Sequence, residues 1–199
     1  MFRSTSRGIA ALLASCLAGV VAAQQPEGDE HLRLGAAHFR AGRFAEAVVE
    51  FKVARELGAG DEGLWYVAAA LTRAGRTLDA LEAFEEAFEA APRTADALFL
   101  YYRGVACSEA QLLVCAAASF ELAARSAGPK VAEQARRLAA EAARVLAAEP
   151  PRAAIDELLS RAAQAGRAGR PRLSAAYARE AGALAARRAD SFRAPDGGR

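Results

Sequence analysis

The tetrapeptide Arg-Ala-Gly-Arg occurs at 40–43, at 73–76 and again at 167–170. The first two copies stand 33 residues apart. A chain that rewrites one short motif at a fixed interval is constrained to repeat one supersecondary unit. HLRLGAAHF precedes Gly42 and FAEAVVEFKVA follows it; LWYVAAAL precedes Gly75 and LDALEAFEEAF follows it. In all four segments the apolar residues recur at helical spacing. Glycine adopts positive φ without a Cβ penalty, so one helix can stop there and the next start back. The flanking arginine suits a helix C-terminus, where a cation complements the dipole. Arg-Ala-Gly-Arg is therefore expected to turn between two antiparallel helices.

Composition narrows the fold class further. Hydrophobic residues make up 53% of the 199-residue chain, much of it alanine, and aromatics only 7%. Alanine loses no side-chain entropy in a helix and lets helix backbones approach closely. No segment shows the alternation of a strand. The expected class is all-α, built from αα-hairpins.

Both ends read differently from the middle. MFRSTSRG carries Arg3 and Arg7 and no acid, IAALLASCLAGVV (Ile9 to Val21) is apolar, and Val21-Ala22-Ala23 supplies small residues before Gln24. This order is that of a cleavable export signal ending at Ala23. The apolar run falls short of the ~20 residues that span a bilayer. Leu13-Ala14-Ser15-Cys16 also has the look of a lipobox; a lipid on Cys16 would tether the chain to a membrane, although the apolar run continues to Ala23. Without residues 1–23 the chain holds 24 basic and 24 acidic side chains. A nucleic-acid binder needs a concentrated basic surface, which this balance does not supply. The charge is polarised: residues 24–96 hold 8 basic and 14 acidic groups, residues 97–199 hold 16 and 10. Solvated helix faces account for this more simply than a matched acidic and basic split.

The helix-pair residues resemble those of the tetratricopeptide repeat family. The family's first-helix pattern of aromatic, Leu-Gly and aromatic corresponds to His31, Leu34, Gly35 and His38. Its second-helix Ala, Phe and Ala correspond to Ala47, Phe51 and Ala54. The second unit offers Leu64, Val67, Ala68 and Leu71, then Ala80, Phe84, Ala87 and a closing Pro92. The third offers Gly104, then Ala116, Phe120, Ala123 and Gly128-Pro129. The resemblance implies a right-handed superhelical solenoid, with three helix pairs over 24–128. Small residues would sit where paired helices cross and the Phe would fill the gap to the next pair, so that units bury their apolar faces by stacking.

Beyond residue 128 the pattern weakens. The third unit has Glu109-Ala110-Gln111-Leu112 in place of the turn motif, between Cys107 and Cys115. Those two cysteines remain as an even pair after export, and in an oxidising compartment a disulfide is expected to clamp the hairpin; two buried free thiols are the alternative. Pro129 to Glu149 reads as a long amphipathic helix opened by proline and stopped by Pro150-Pro151. Its pairing stays unassigned. Residues 152–189 read as a degenerate fourth unit, with Ser174, Ala178 and Ala181 at the second-helix spacing, and 190–199 as a disordered tail.

No catalytic constellation stands out. His31 and His38 share a helix face but occupy the family's aromatic seats, and two cysteines with distant histidines make no metal site. Glu82, Glu85, Glu86 and Glu89 fit a solvated outer face. The turn glycines lie between two helices, not after a strand, so they are no phosphate loop. No cofactor is expected. The resemblance implies instead a concave binding groove on the first helices, with Leu32, Ala36, Phe39 and Arg40 from unit one, Trp65, Ala69, Thr72 and Arg73 from unit two, and Tyr101 and Val105 from unit three. Trp65 can equally pack between units. Leu32, Ala36 and Ala69 stand where family members that hold a C-terminal carboxylate carry Lys and Asn, so a more apolar peptide or helix is the expected partner. The sequence thus points to an exported, non-catalytic protein-binding module or assembly scaffold, periplasmic or secreted. Membrane attachment would arise only through Cys16, as in a lipid-anchored assembly subunit; a non-catalytic subunit of an enzyme complex is the further alternative.

Overall fold

The computed structural model describes residues 27–60, 62–90 and 96–193. The segment expected to be an export signal, with Cys16, and also Pro92 lie outside these residues. The described residues form nine α-helices and no strand: α1 (27–40), α2 (Phe44–Glu56), α3 (Glu62–Arg73), α4 (Thr77–Ala90), α5 (Ala97–Glu109), α6 (Leu113–Ser126), α7 (Pro129–Leu146), α8 (Arg152–Arg167) and α9 (Pro171–Arg193). Helices adjacent in sequence pack in pairs, and α5 also rests on α3 and α4. The long helix opened by Pro129 pairs with α6, which supplies the partner the sequence left unassigned. α9 remains helical to Arg193, past Asp190, where a disordered tail was expected to begin.

The recurrent tetrapeptide makes one turn, repeated. Gly42, Gly75 and Gly169 all have φ between 71° and 75°. Each glycine N–H bonds the carbonyl three residues back: Phe39, Thr72 and Gly166. The following Arg N–H bonds the carbonyl five back: His38, Leu71 and Ala165. Its own carbonyl then accepts the first bond of the next helix, from Ala47, Ala80 and Ser174. This satisfies the carbonyls at a helix end with a left-handed residue after it. The third hairpin keeps the geometry without the glycine. Gln111 adopts φ 63°, its N–H bonds Ser108 O, and Leu112 N–H bonds Cys107 O. Cys107 and Cys115 are joined as a disulfide across this turn, with Cα atoms 5.9 Å apart.

Helices of a pair approach at a small residue facing a phenylalanine. A Cβ built on Gly35 would lie 2.5 Å from the Phe51 ring, and one on Gly104 would lie 2.6 Å from the Phe120 ring. Nothing larger than hydrogen fits there without moving the ring. Ala68, fully buried, holds the corresponding place in the second hairpin. Ala47, Ala54, Ala80, Phe84, Ala87, Ala116 and Ala123 are likewise buried. Leu34 is the exception among the core seats: it is 40% exposed, because α1 has no preceding hairpin among the described residues, whereas Val67 at the matching place in α3 is 5% exposed.

The terminal hairpin α8–α9 lays α9 across α4 and α6. The acidic run of α4 is accordingly covered in part: Glu82 and Glu85 lie against α9, Glu89 meets it while staying largely exposed, and Glu86 pairs with Arg55. Arg170 bonds Asp79 at 2.7 Å, Arg172 bonds Glu89 at 2.8 Å, and the Leu173 N–H donates to Glu82 at 2.9 Å. Arg179 bonds Glu85, which also takes a bond from Arg103 at 3.0 Å. The acidic first half and basic second half are matched across this contact, contrary to the simpler expectation. Leu112 and the disulfide replace the polar arginine turn because this third turn lies under α9: Leu112 is 1% exposed beside Ala176 and Glu180.

Two variants at equivalent turn positions are expected to move stability in opposite directions. Gln111→Gly relieves a left-handed non-glycine residue and should stabilise by about 1 kcal/mol, whereas Gly75→Ala introduces one and should cost about the same. Midpoints of chemical denaturation measure both. Phe84→Ala, at a fully buried site, should cost about 3–5 kcal/mol in the same assay.

Candidate functional site

An apolar groove opens on the first helices of the three hairpins. Its walls are Ala36, Phe39 and Arg40 from α1, Phe51 from α2, Tyr66 and Ala69 from α3, and Leu98, Phe99 and Tyr102 from α5. Helical periodicity puts them there: 36, 39 and 40 share one face of α1, 66 and 69 one face of α3, and 98 and 102 one face of α5. The Asp96 side chain caps α5, accepting the N–H groups of Leu98 at 2.8 Å and Phe99 at 2.9 Å, and so fixes where these two residues enter.

The rings are locked on one another. Phe51 stacks on Tyr66 at 5.1 Å between centroids, and Phe99 meets Tyr66 edge-on at 5.1 Å. Phe39 contacts Tyr102 at 5.8 Å and Phe44 at 5.4 Å. The Arg73 guanidinium lies 4.5 Å above the Phe44 ring, a cation–π contact. Leu98 keeps 44% of its surface in water. The opening holds about 130 Å³. Drug-sized and cofactor pockets run to about 300–1,000 Å³, so this one fits a single side chain.

The structure separates the expected groove residues into two sets. Ala36, Phe39, Arg40 and Ala69 line it, and Arg73 sits at its aromatic edge. Leu32 and Val105 are half-buried packing residues. Tyr101 is half-buried against Phe120 and Tyr102, and burial raises the pKa of its hydroxyl. Trp65 and Thr72 do not face a partner. Trp65 is fully buried between Phe84, Phe88 and Phe99, filling the space between the second and third hairpins. Thr72 is 4% exposed, with its hydroxyl donated to Ala68 O. Tyr66, Leu98, Phe99 and Tyr102 were missed. Spacing alone did not single out Tyr66: Tyr66 and Trp65 lie three and four residues before Ala69, both at the interval of neighbours on one helix face.

Several other charged or titratable groups are engaged structurally. His31 Nδ1 is 2.6 Å from Glu50, and Arg43 Nε donates to His38 Nδ1 at 2.9 Å. Arg103 bonds Ser119 at 2.7 Å and lies over the Phe88 ring. Glu180, 4% exposed, accepts the Val114 and Cys115 N–H groups at 2.6 and 3.0 Å, satisfying two donors at the start of α6 that have no partner within the helix. Burial raises its pKa, against those two bonds and the Arg103 charge. At Asp79 burial also pushes upward, but the Arg76 hydrogen bond and the charges of Arg76 and Arg170 outweigh it, and the pKa is lowered. Among the described residues no three His, Cys, Asp or Glu side chains are grouped to hold a metal ion, and no helix is long and apolar enough to cross a membrane. No family model, curated protein or solved structure matches this chain.

Glu180 gives a pH test of the α9 contact. Glu180→Ala leaves two N–H groups unsatisfied and should cost about 1–3 kcal/mol at neutral pH. Glu180→Gln keeps an acceptor and removes the titration. Because the folded pKa is raised, the protonated form favours folding: the contribution is full below the unfolded value and is lost as pH rises through the folded one. Wild type should therefore gain on the Gln variant as pH falls towards 4.5, read from denaturation midpoints at several pH values.

Proposed function

We propose that this protein is a non-catalytic binding module of the tetratricopeptide kind, which holds a peptide or helix of a partner protein in the groove of α1, α3 and α5. The observation that carries the reading is an aromatic opening, sized for one side chain, left uncovered by the described residues and flanked by Arg40 and Arg73. An aromatic lining with an arginine rim is the composition that concentrates binding energy at interfaces. Neither arginine has an ion pair among the described residues, so each is available for a charge-assisted bond to an acidic group beside the partner's apolar anchor.

The solenoid reading is supported by the recurrence of one turn geometry and of the small-residue-to-Phe contact. Export is supported by the Cys107–Cys115 disulfide, since such bonds persist in oxidising compartments. The periplasm or the exterior of a bacterial cell is the location proposed.

The test is retention of a partner from the envelope fraction of the source cells, compared between wild type and Tyr66→Ala/Tyr102→Ala. A polypeptide bound stoichiometrically by wild type should weaken by about 30-fold with the variant, the equivalent of ~2 kcal/mol at an interface hot spot. Circular dichroism checks that the variant keeps its helicity. Equal retention by both proteins would reject the groove.

A further inference from the structure

The α8–α9 hairpin joins the rest of the chain through residues 147–151, which include Pro150 and Pro151. It meets the body chiefly through α9, on α4 and α6. The large apolar residues that α9 buries in this seam are Leu173 and Tyr177; Ala176 and Ala181 supply the rest. Open clefts border this seam. An opening of about 260 Å³ lies among Leu81, Leu112, Ala176 and Glu180, and another of about 400 Å³ beside Leu78, Leu173 and Tyr177.

The polar contacts across the seam form a matched set. Asp79, Glu82, Glu85 and Glu89 of α4 and two N–H groups of α6 belong to the body. Arg170, Arg172, Arg179, Glu180 and the Leu173 N–H belong to the hairpin. All the body groups precede the prolines and all the hairpin groups follow them. One body and one hairpin satisfy each other completely, whichever molecule supplies each. Near the hinge, Arg187 bonds Leu146 O and Arg188 bonds Pro150 O, so the linker is held in register while the hairpin is closed.

We propose that α8–α9 is a strap that opens as one unit about residues 147–151 and closes equally well on the body of a second copy, so that two chains exchange hairpins. Exchange creates no new contact type, which is why swapping an identical element is a low-cost route to a dimer. This inference does not depend on the groove.

Paired charge reversal tests it on the full chain. Arg170→Glu/Arg172→Glu sets an acidic strap against an acidic ridge; Asp79→Lys/Glu89→Lys sets a basic strap against a basic ridge. Each variant alone should stay helical and monomeric, with amide exchange at Val114 and Cys115 accelerated about tenfold or more, as expected when a local unit opens. Mixing them at equal concentration should restore the protection and give a one-to-one dimer by native mass spectrometry, since each strap then meets a ridge of opposite sign. A mixture that remains two monomers, or wild-type protection in either variant alone, would overturn the proposal. Should a variant lose helicity, wild type decides: light- and heavy-isotope protein are mixed at about 1 M salt, where screening reaches ~3 Å, and returned to low salt. Mixed-label dimers support exchange, and their absence overturns it.

Discussion

The structure depends on how closely two helices can approach when one of them offers no side chain. At Gly35 and Gly104 the space that a methyl group would fill is taken by the rings of Phe51 and Phe120. The ring therefore packs directly against the paired helix at the glycine, and the whole pair is brought together. This close approach sets the position of everything on the outer faces of α1, α3 and α5. The same Phe51 ring also stacks on Tyr66, so the contact that joins α1 to α2 forms one wall of the groove. Core and site share a residue.

A second constraint acts on the opposite side. Individually, exposed ion pairs contribute little, commonly about 0–1 kcal/mol. The pairs between α4 and α9 matter as a pattern: they are compatible with one placement of the hairpin and penalise others by bringing like charges together. Glu85 is more enclosed than Asp79 or Glu89, 12% exposed, and shared between Arg103 and Arg179. It links the third hairpin to the strap through one carboxylate. The buried Leu112, the disulfide and Glu180 at the start of α6 all gather where this strap crosses.

Much of the local structure could be read from the sequence, because turn chemistry and small-residue spacing are local. The three glycine turns, the proline that opens α7 and the seats of Phe51, Phe84 and Phe120 belong to that class. Leu34 needed knowledge of what precedes α1. Gln111 concealed a turn of the same geometry, since a single positive-φ residue other than glycine carries no marker in the sequence. The charge ladder was visible as composition but not as contact: Asp79 and Arg170 are 91 residues apart, and no short-range pattern joins them. An apolar opening lies on the three helices on which the groove was expected. Its residues were carried over from the family's first-helix positions, which put Trp65 in the groove, where the structure buries Trp65 between hairpins and lines the opening with Tyr66.

The binding reading follows from this division of labour. The strap covers α4 and α6, the helices pair through glycine and alanine, and the aromatic face of α1, α3 and α5 is left open with two arginines at its edge. A double-mutant cycle tests the close helix approach most directly, using Gly104→Ala, Phe120→Leu and the combination. With Phe120 present, Gly104→Ala should destabilise by about 1–3 kcal/mol through overpacking. In the Phe120→Leu background the ring is gone, and the same change should become neutral or stabilising by up to ~1 kcal/mol through helix propensity. A coupling of at least ~1 kcal/mol between the two sites is the expected result. Additive effects would show that the glycine is not there for the ring, and would contradict the account.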